Sequence, residues 1–219
     1  MAQTTLVSAD QTLAFADNSM PQGLIDAWSY TTTFAQAHAR TVNGDPSTQQ
    51  YFDAMTKELQ EIGWNVTNAG RLKYDQSANR ISPAGIVKSI IHPYLSPDQQ
   101  RQLDGVLDAI GQPDVSMSNF LDFWWKKASV NASKANMAMG PLTELNNSSD
   151  ITMIYYGFNY DASSWRSLFI EQDSASLGVT AYNLEMNLNL ALYNSIKGDL
   201  IAKLAGKEKQ HIQQSTLDL

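Results

Sequence analysis

The residues of this chain that could move protons or carry a transient bond are few and scattered. Three histidines, His38, His92 and His211, stand far apart, and Cys is absent from all 219 residues. A chain without thiols has no cysteine nucleophile, no thiolate metal site and no disulfide framework. His92 lies between Ile91 and Pro93 at the end of an apolar-periodic run, where an imidazole can satisfy unpaired helix-end carbonyls. Beside a remote carboxylate it would instead be a general base. His38 stands near Arg40 on a helical stretch, and His211 falls in a polar tail where solvation is expected. Glu171 and Glu185 lie on two stretches expected to be neighbouring strands, and a carboxylate pair roughly 5–9 Å apart is the apparatus of glycoside hydrolysis. The bland alternative is an exposed sheet face.

Spacing that would commit the chain to a mechanism is missing. There is no Gly-x-Gly-x-x-Gly, no phosphate loop closing in Lys-Ser or Lys-Thr, no His-Glu-x-x-His, no Gly-x-Ser-x-Gly and no calcium loop. No catalytic residue, metal ligand or cofactor is therefore assigned, and a hydrolase with a dispersed carboxylate/His site stays a minor alternative.

Binding candidates are better defined. In AYNLEMNLNLALYN, residues 181–194, Tyr182, Leu184, Met186, Leu188 and Leu190 share one parity, while Asn183, Glu185, Asn187 and Asn189 share the other. On a helix the first set would scatter at about 200° per step; on a strand it is one face. Asn is depleted in strands, so this row of amides points to a hydrogen-bonding surface for a carbohydrate or another protein, or to a plain solvated face. Trp124 and Trp125 are adjacent, and on a helix they diverge by about 100°. One of them is then placed to meet a sugar, a membrane interface or a neighbouring layer, with core packing as the simpler reading.

Charge narrows the partners. A net charge of -7 and a pI near 4.8 repel phosphate backbones, which argues against nucleic acid. Only 17% of residues are charged while 43% are hydrophobic, enough for one packed unit. No Lys or Arg precedes Arg40, so the basic region of a signal peptide is missing and no apolar run has transmembrane length. The expectation is a protein that is cytoplasmic at synthesis and, if released, released without a cleavable signal peptide.

The elements that would position these residues are read from punctuation and period. Asp45-Pro46, Ser82-Pro83 and Ser96-Pro97 each predict a helix start, with apolar positions at three- and four-residue steps behind them. A less regular helix is expected over 21–40 and a short one over 118–128. The period then shifts to two: SDITMIYYGFNYD, SWRSLFIE and the alternating stretch from Tyr182 predict three successive strands. A terminal helix ends at Gly206. Residues 128–145, rich in Ala, Ser and Asn, read as a strand pair or a surface segment.

These readings make the chain α+β, an N-terminal helical layer of about four to five helices on a C-terminal antiparallel β-meander, with a short C-terminal helix. The divisions are an arm at 1–20, a helical region at 21–128, a sheet region with its terminal helix at 129–206 and a polar tail at 207–219. The leading functional expectation is a non-catalytic binding protein using the polar face or edge of its sheet. The alternative is a membrane-acting, pore-forming-like toxin whose amphipathic segments 128–139 and 179–192 insert. Partners are therefore a protein, a carbohydrate or a membrane surface, with a homo-oligomer also allowed.

Overall fold

Two quartets near the N-terminus, Leu6–Ala9 and Leu13–Ala16, apolar except for Ser8, carry every residue inward, which a strand does only when both of its faces are covered. A computed structural model shows this arrangement; it describes residues 3–72, 74, 80–131, 134–145, 148–159, 163–173, 177–204, 206 and 208–218. The quartets belong to β1 (Gln3–Ala9) and β2 (Thr12–Asp17), an antiparallel hairpin in the middle of the sheet. Then come α1 (Gln22–Val42), α2 (Gln49–Glu61), β3 (Trp64–Leu72), β4 (Arg80–Ile81), α3 (Pro83–Ile91), α4 (Pro97–Gly111) and α5 (Val115–Ala128). The last third holds β5 (Ser129–Asn131), β6 (Lys134–Leu145), β7 (Ser148–Asn159), β8 (Gln172–Asp173), β9 (Gly178–Leu188), α6 (Leu190–Leu204), α7 (Glu208–His211) and β10 (Ile212–Asp218).

Among the described residues the main sheet runs β10-β1-β2-β6-β7-β9-β3, with β5 attached to β6. Every pairing is antiparallel except β2 with β6. The β6–β7 register passes from Met139↔Ile154 to Leu142↔Ile151, skipping Gly140 and Pro141, where the proline has no N–H to donate.

Neighbouring residues in each strand enter different cores. Leu6, Leu13, Phe15, Met137 and Met139 pack with α3, α4 and α5. Val7, Ala14, Ala16, Ala138, Leu184 and Met186 pack with α1, α2 and α6. The sheet is thus the middle of three layers.

This overturns the expected N-terminal helical layer on a meander. Helices cover both faces, and residues 1–20, read as an arm, supply two central strands. The reason is side-chain size. Ala, Ser and Thr in β1 and β2 lower the apparent hydropathy, yet small residues suit positions squeezed between two helical layers. SWRSLFIE is no strand either: Trp165–Phe169 form a 3-10 turn capped by Ser164, and Gln172–Asp173 pair with β4 outside the main sheet. The loops expected at 161–162 and 174–176 lie outside the described residues. The end of the chain, expected to fray, forms β10 along β1.

Helix starts follow their caps. Ser82 accepts from Gly85 N, and Ser96 closes a full capping box with Gln99. Asp45 does not start α2; it accepts from the Ser47 N–H and hydroxyl in a turn, and Thr48 caps the helix instead.

Candidate functional site

Strand β9 keeps the predicted alternation as far as Leu188. Tyr182, Leu184, Met186 and Leu188 are buried against α1, α2 and α6, while Leu190 already belongs to α6. Phe52 of α2 stacks on Tyr182 with ring centroids 4.8 Å apart. Burial raises the Tyr182 hydroxyl above its usual pKa.

The opposite row is not an open amide surface. Asn183 is only 4% exposed. Asn65 on β3 donates to Asn187 Oδ1 at 3.1 Å, and Asn68 donates to Glu185 Oε1 at 3.1 Å. Asn189 is exposed beyond the strand and accepts from Leu192 N at the start of α6. Three of the four polar residues therefore face inward or toward an edge strand.

Trp124 and Trp125 are both inside, set edge to face at 5.8 Å, and Trp124 Nε1 donates to Gln11 O at 3.1 Å. They sit in the core toward α3–α5, whereas the apolar β9 residues Tyr182, Leu184, Met186 and Leu188 belong to the other core.

Each histidine meets a carboxylate. His92 Nε2 lies 2.9 Å from Asp104 Oδ1, and Lys88 Nζ lies 2.9 Å from the other oxygen. The Asp104 carboxyl is partly desolvated, which raises its pKa, but Lys88 and His92 hold it below the usual range. His92 thus pairs across α3 and α4 and leaves its own carbonyl to Gln100. His38 lies 3.6 Å from Glu58 on α2. Glu171 precedes β8 of the small sheet while Glu185 is on β9, so they are not on neighbouring strands. Among the described residues no cluster of three or more His, Asp or Glu could hold a metal.

Two features escaped the sequence reading. The first is the charge-free band of the β6–β7 hairpin. Residues 135–143 of β6 and 151–159 of β7 are nine each without a charged side chain. Register places Lys134 opposite Asn159 at one end, and Thr143 opposite Asp150 with Glu144 opposite Ser149 at the other. The charges therefore cap the ends of an uncharged ribbon about 30 Å long. Beside it, β9 is apolar on one face from Tyr182 to Leu188, carries Asn183, Glu185 and Asn187 on the other, and has one charge, Glu185. The scarcity of charge over 128–159 was the available signal.

The second is the β1–β2 turn. Asp10 and Gln11 are both buried, and Asp10 has φ 56°, the left-handed region. The Asp10 carboxylate pairs with Arg40 of α1 and faces His211 Nδ1 at 3.6 Å. Burial pushes its pKa up, but the neighbouring His211 and the Arg40 ion pair outweigh that and leave it below the ordinary value.

The site belongs to a three-layer α/β/α protein whose central sheet carries long, nearly uncharged antiparallel strands under helical covers. No protein-family model matches the chain, and no curated protein matches it significantly. Among solved structures it is similar to the activated Cyt2Ba monomer from Bacillus thuringiensis subsp. israelensis, with 14% identity over 77% of this chain and 93% of that one, TM-score 0.43. A delta-endotoxin matches at 9% identity over 82% and 81%, TM-score 0.43. The Evf virulence factor matches at 11% over 90% and 74%, TM-score 0.34. With TM-scores below 0.5, these likenesses establish no common function.

Proposed function

We propose that this chain is a membrane-acting protein of pore-forming type, whose β6–β7–β9 strands enter a bilayer after a helical layer has left them. The uncharged band carries the reading. A membrane-crossing strand needs about 9–11 residues whose lipid face lacks charge, and it must be paired with neighbours so that no backbone group is stranded in hydrocarbon. The β6–β7 hairpin already has the length, the pairing and charges at its ends. Among the described residues no helix is long and apolar enough to cross a membrane, so strands are the elements available for insertion. The names of the similar structures, an endotoxin and a virulence factor, accord with this reading but carry none of its weight.

A binding protein working through the Asn row is less well supported, because β3 engages Asn187 and Glu185 and Asn183 is covered. Release of a trapped dye from zwitterionic and anionic vesicles, from acidic to alkaline pH, tests the proposal. Release that follows the folded protein supports it. Intact vesicles under all these conditions, with the protein still folded, would refute it.

A further inference from the structure

The two helical layers are attached to the sheet by different chemistry. Toward α3–α5 the seam is mainly apolar: Leu103, Val106, Ile110, Phe120, Leu121 and Trp124 pack with Leu13, Phe15 and Met139, and Trp124 Nε1 to Gln11 O and Gln102 Nε2 to Thr4 Oγ1 are side-chain bonds across it. Toward α1 and α2 the seam is rich in polar groups. Ser29, Thr31, Thr32, Thr33 and Gln36 of α1 are all buried.

Several buried polar groups of this region have no hydrogen-bond partner within the protein. They include Trp28 Nε1, Thr32 Oγ1, Thr33 Oγ1 and Gln36 Oε1, with Thr56 Oγ1 of α2 and Tyr193 OH of α6. Both side-chain polar atoms of Asn136, where β6 runs beneath the α1–α2 connection, are also orphaned. A buried donor or acceptor without a partner is penalised, and separation of this layer would open Gln36 and Asn136, which lie where it meets the sheet, to water. Parting the apolar seam regains nothing of the kind.

Side-chain bonds hold the polar layer closed at two places: Trp64 Nε1 of β3 donates to Thr31 Oγ1 of α1 at 2.9 Å, and the charged tie lies at the β1–β2 turn. Arg40, in the last turn of α1, pairs with Asp10 and donates to Gln11 Oε1 at 3.2 Å. Gln36, one turn earlier, donates to Thr12 Oγ1 at 2.6 Å. A more exposed tie, Lys134 Nζ to Asp45 at 2.8 Å, joins the α1–α2 connection to β6 and is the weaker for its contact with water. The turn itself is fixed to the rest of the molecule, since Gln11 O accepts from Ala138 N of β6 and from Trp124 Nε1 of α5, and Asp10 N donates to His211 O. If α1 leaves, the turn stays.

We infer that the α1–α2 layer is a detachable cover, latched by Asp10 and Arg40, and that it parts from the sheet before the α3–α5 layer does. Departure would expose the face bearing Ala138, Leu142, Leu184 and Met186, while α3–α5 keep the other face dry. The functional meaning of this order rests on the membrane reading; the order itself is a property of the folded chain.

Hydrogen–deuterium exchange on the full chain tests the order directly. Peptides from α1 and α2 should exchange faster than those from α4 and α5. Asp10→Asn should raise exchange in α1 and α2 at least about tenfold and leave α4 and α5 unchanged, as loss of a buried charge partner predicts. Both layers exchanging together, or α3–α5 first, would overturn the inference. A second arm restrains the layer instead of loosening it. The chain has no cysteine, and a Cβ built on Gly157 of β7 would lie 2.9 Å from Ser47 Cβ in the α1–α2 connection. The usual span in a disulfide is about 3.8 Å, so Ser47→Cys with Gly157→Cys should bridge with a shift of under about one ångström.

The bridged protein should release no dye from vesicles until reduced. Release unaffected by the bridge would sink the cover and spare the membrane reading. The predicted order of exchange without any release from vesicles would do the opposite.

Discussion

Asp10, at the tip of the β1–β2 hairpin, and Arg40, in the last turn of α1, form an ion pair in which the Asp10 side chain is 2% exposed and that of Arg40 33%. A carboxylate so enclosed is tolerable only while its partners remain, because desolvation alone would favour the neutral acid. Arg40→Met should therefore destabilise the protein by about 3 kcal/mol, the low end of the range for breaking a buried pair, since Arg40 keeps some water. Urea unfolding measures it. A loss under about 1 kcal/mol would mean that His211 and solvent suffice for Asp10.

The same carboxyl sets a pH dependence of known sign. Its folded pKa lies below the ordinary aspartate value of 3.8. The stabilisation is thus fully present above that value and is lost as pH falls through the lower, folded one. Asp104, held down by Lys88 and His92, acts in the same window. Asp10→Asn should flatten part of the acid limb of a stability-versus-pH curve and leave the neutral region parallel to wild type. An acid limb identical in both proteins would show that Asp10 does not govern it.

Gly157 leaves no room for a side chain. A Cβ there would meet Ser47 Cβ at 2.9 Å and Asn136 Oδ1 at 3.0 Å. Gly157→Ala should cost about 1–3 kcal/mol through overpacking, and Ser47→Gly should recover much of it in the double variant. Additive losses would show that the crowding comes from Asn136 instead.

How much of this was legible depended on whether a local pattern had a physical reason visible in the chain. Tyr182 to Leu188 alternate because one face of β9 is apolar core and the other meets Asn65 and Asn68, and that contrast is written in the residues. Ser82 and Ser96 announced their helices because a cap is a local device. Ser96→Ala should accordingly cost about 1 kcal/mol, whereas Asp45 read the same way and is not a cap. The central hairpin was hidden for the reverse reason. Two covered faces remove the alternation, and Ala9, Ala14 and Ala16 bury completely while contributing little hydropathy. β10, with Gln213, Gln214, Ser215 and Thr216, has no pattern of its own and is defined by its pairing with β1. The clamp at Asp10 joins residues 10, 40 and 211, and no sequence window spans that distance.

Glu185 gives the sharpest test of which strands matter. It is the charged residue of β9, and its carboxylate accepts from Asn68 on the edge strand β3. In water Glu185→Gln keeps a hydrogen-bonding oxygen for Asn68 and removes only a partly exposed charge, so stability should change by less than about 1 kcal/mol. In a bilayer the same change removes a carboxylate whose cost is up to about 2 kcal/mol at depth. If β9 enters with the β6–β7 hairpin, Glu185→Gln should speed dye release several-fold at unchanged vesicle binding. If β9 stays outside, release should be unaltered, and the inserted unit shrinks to the hairpin alone. Slower release would contradict insertion of β9 outright, since nothing in the folded protein makes an amide at this position a worse neighbour for Asn68 than the native carboxylate.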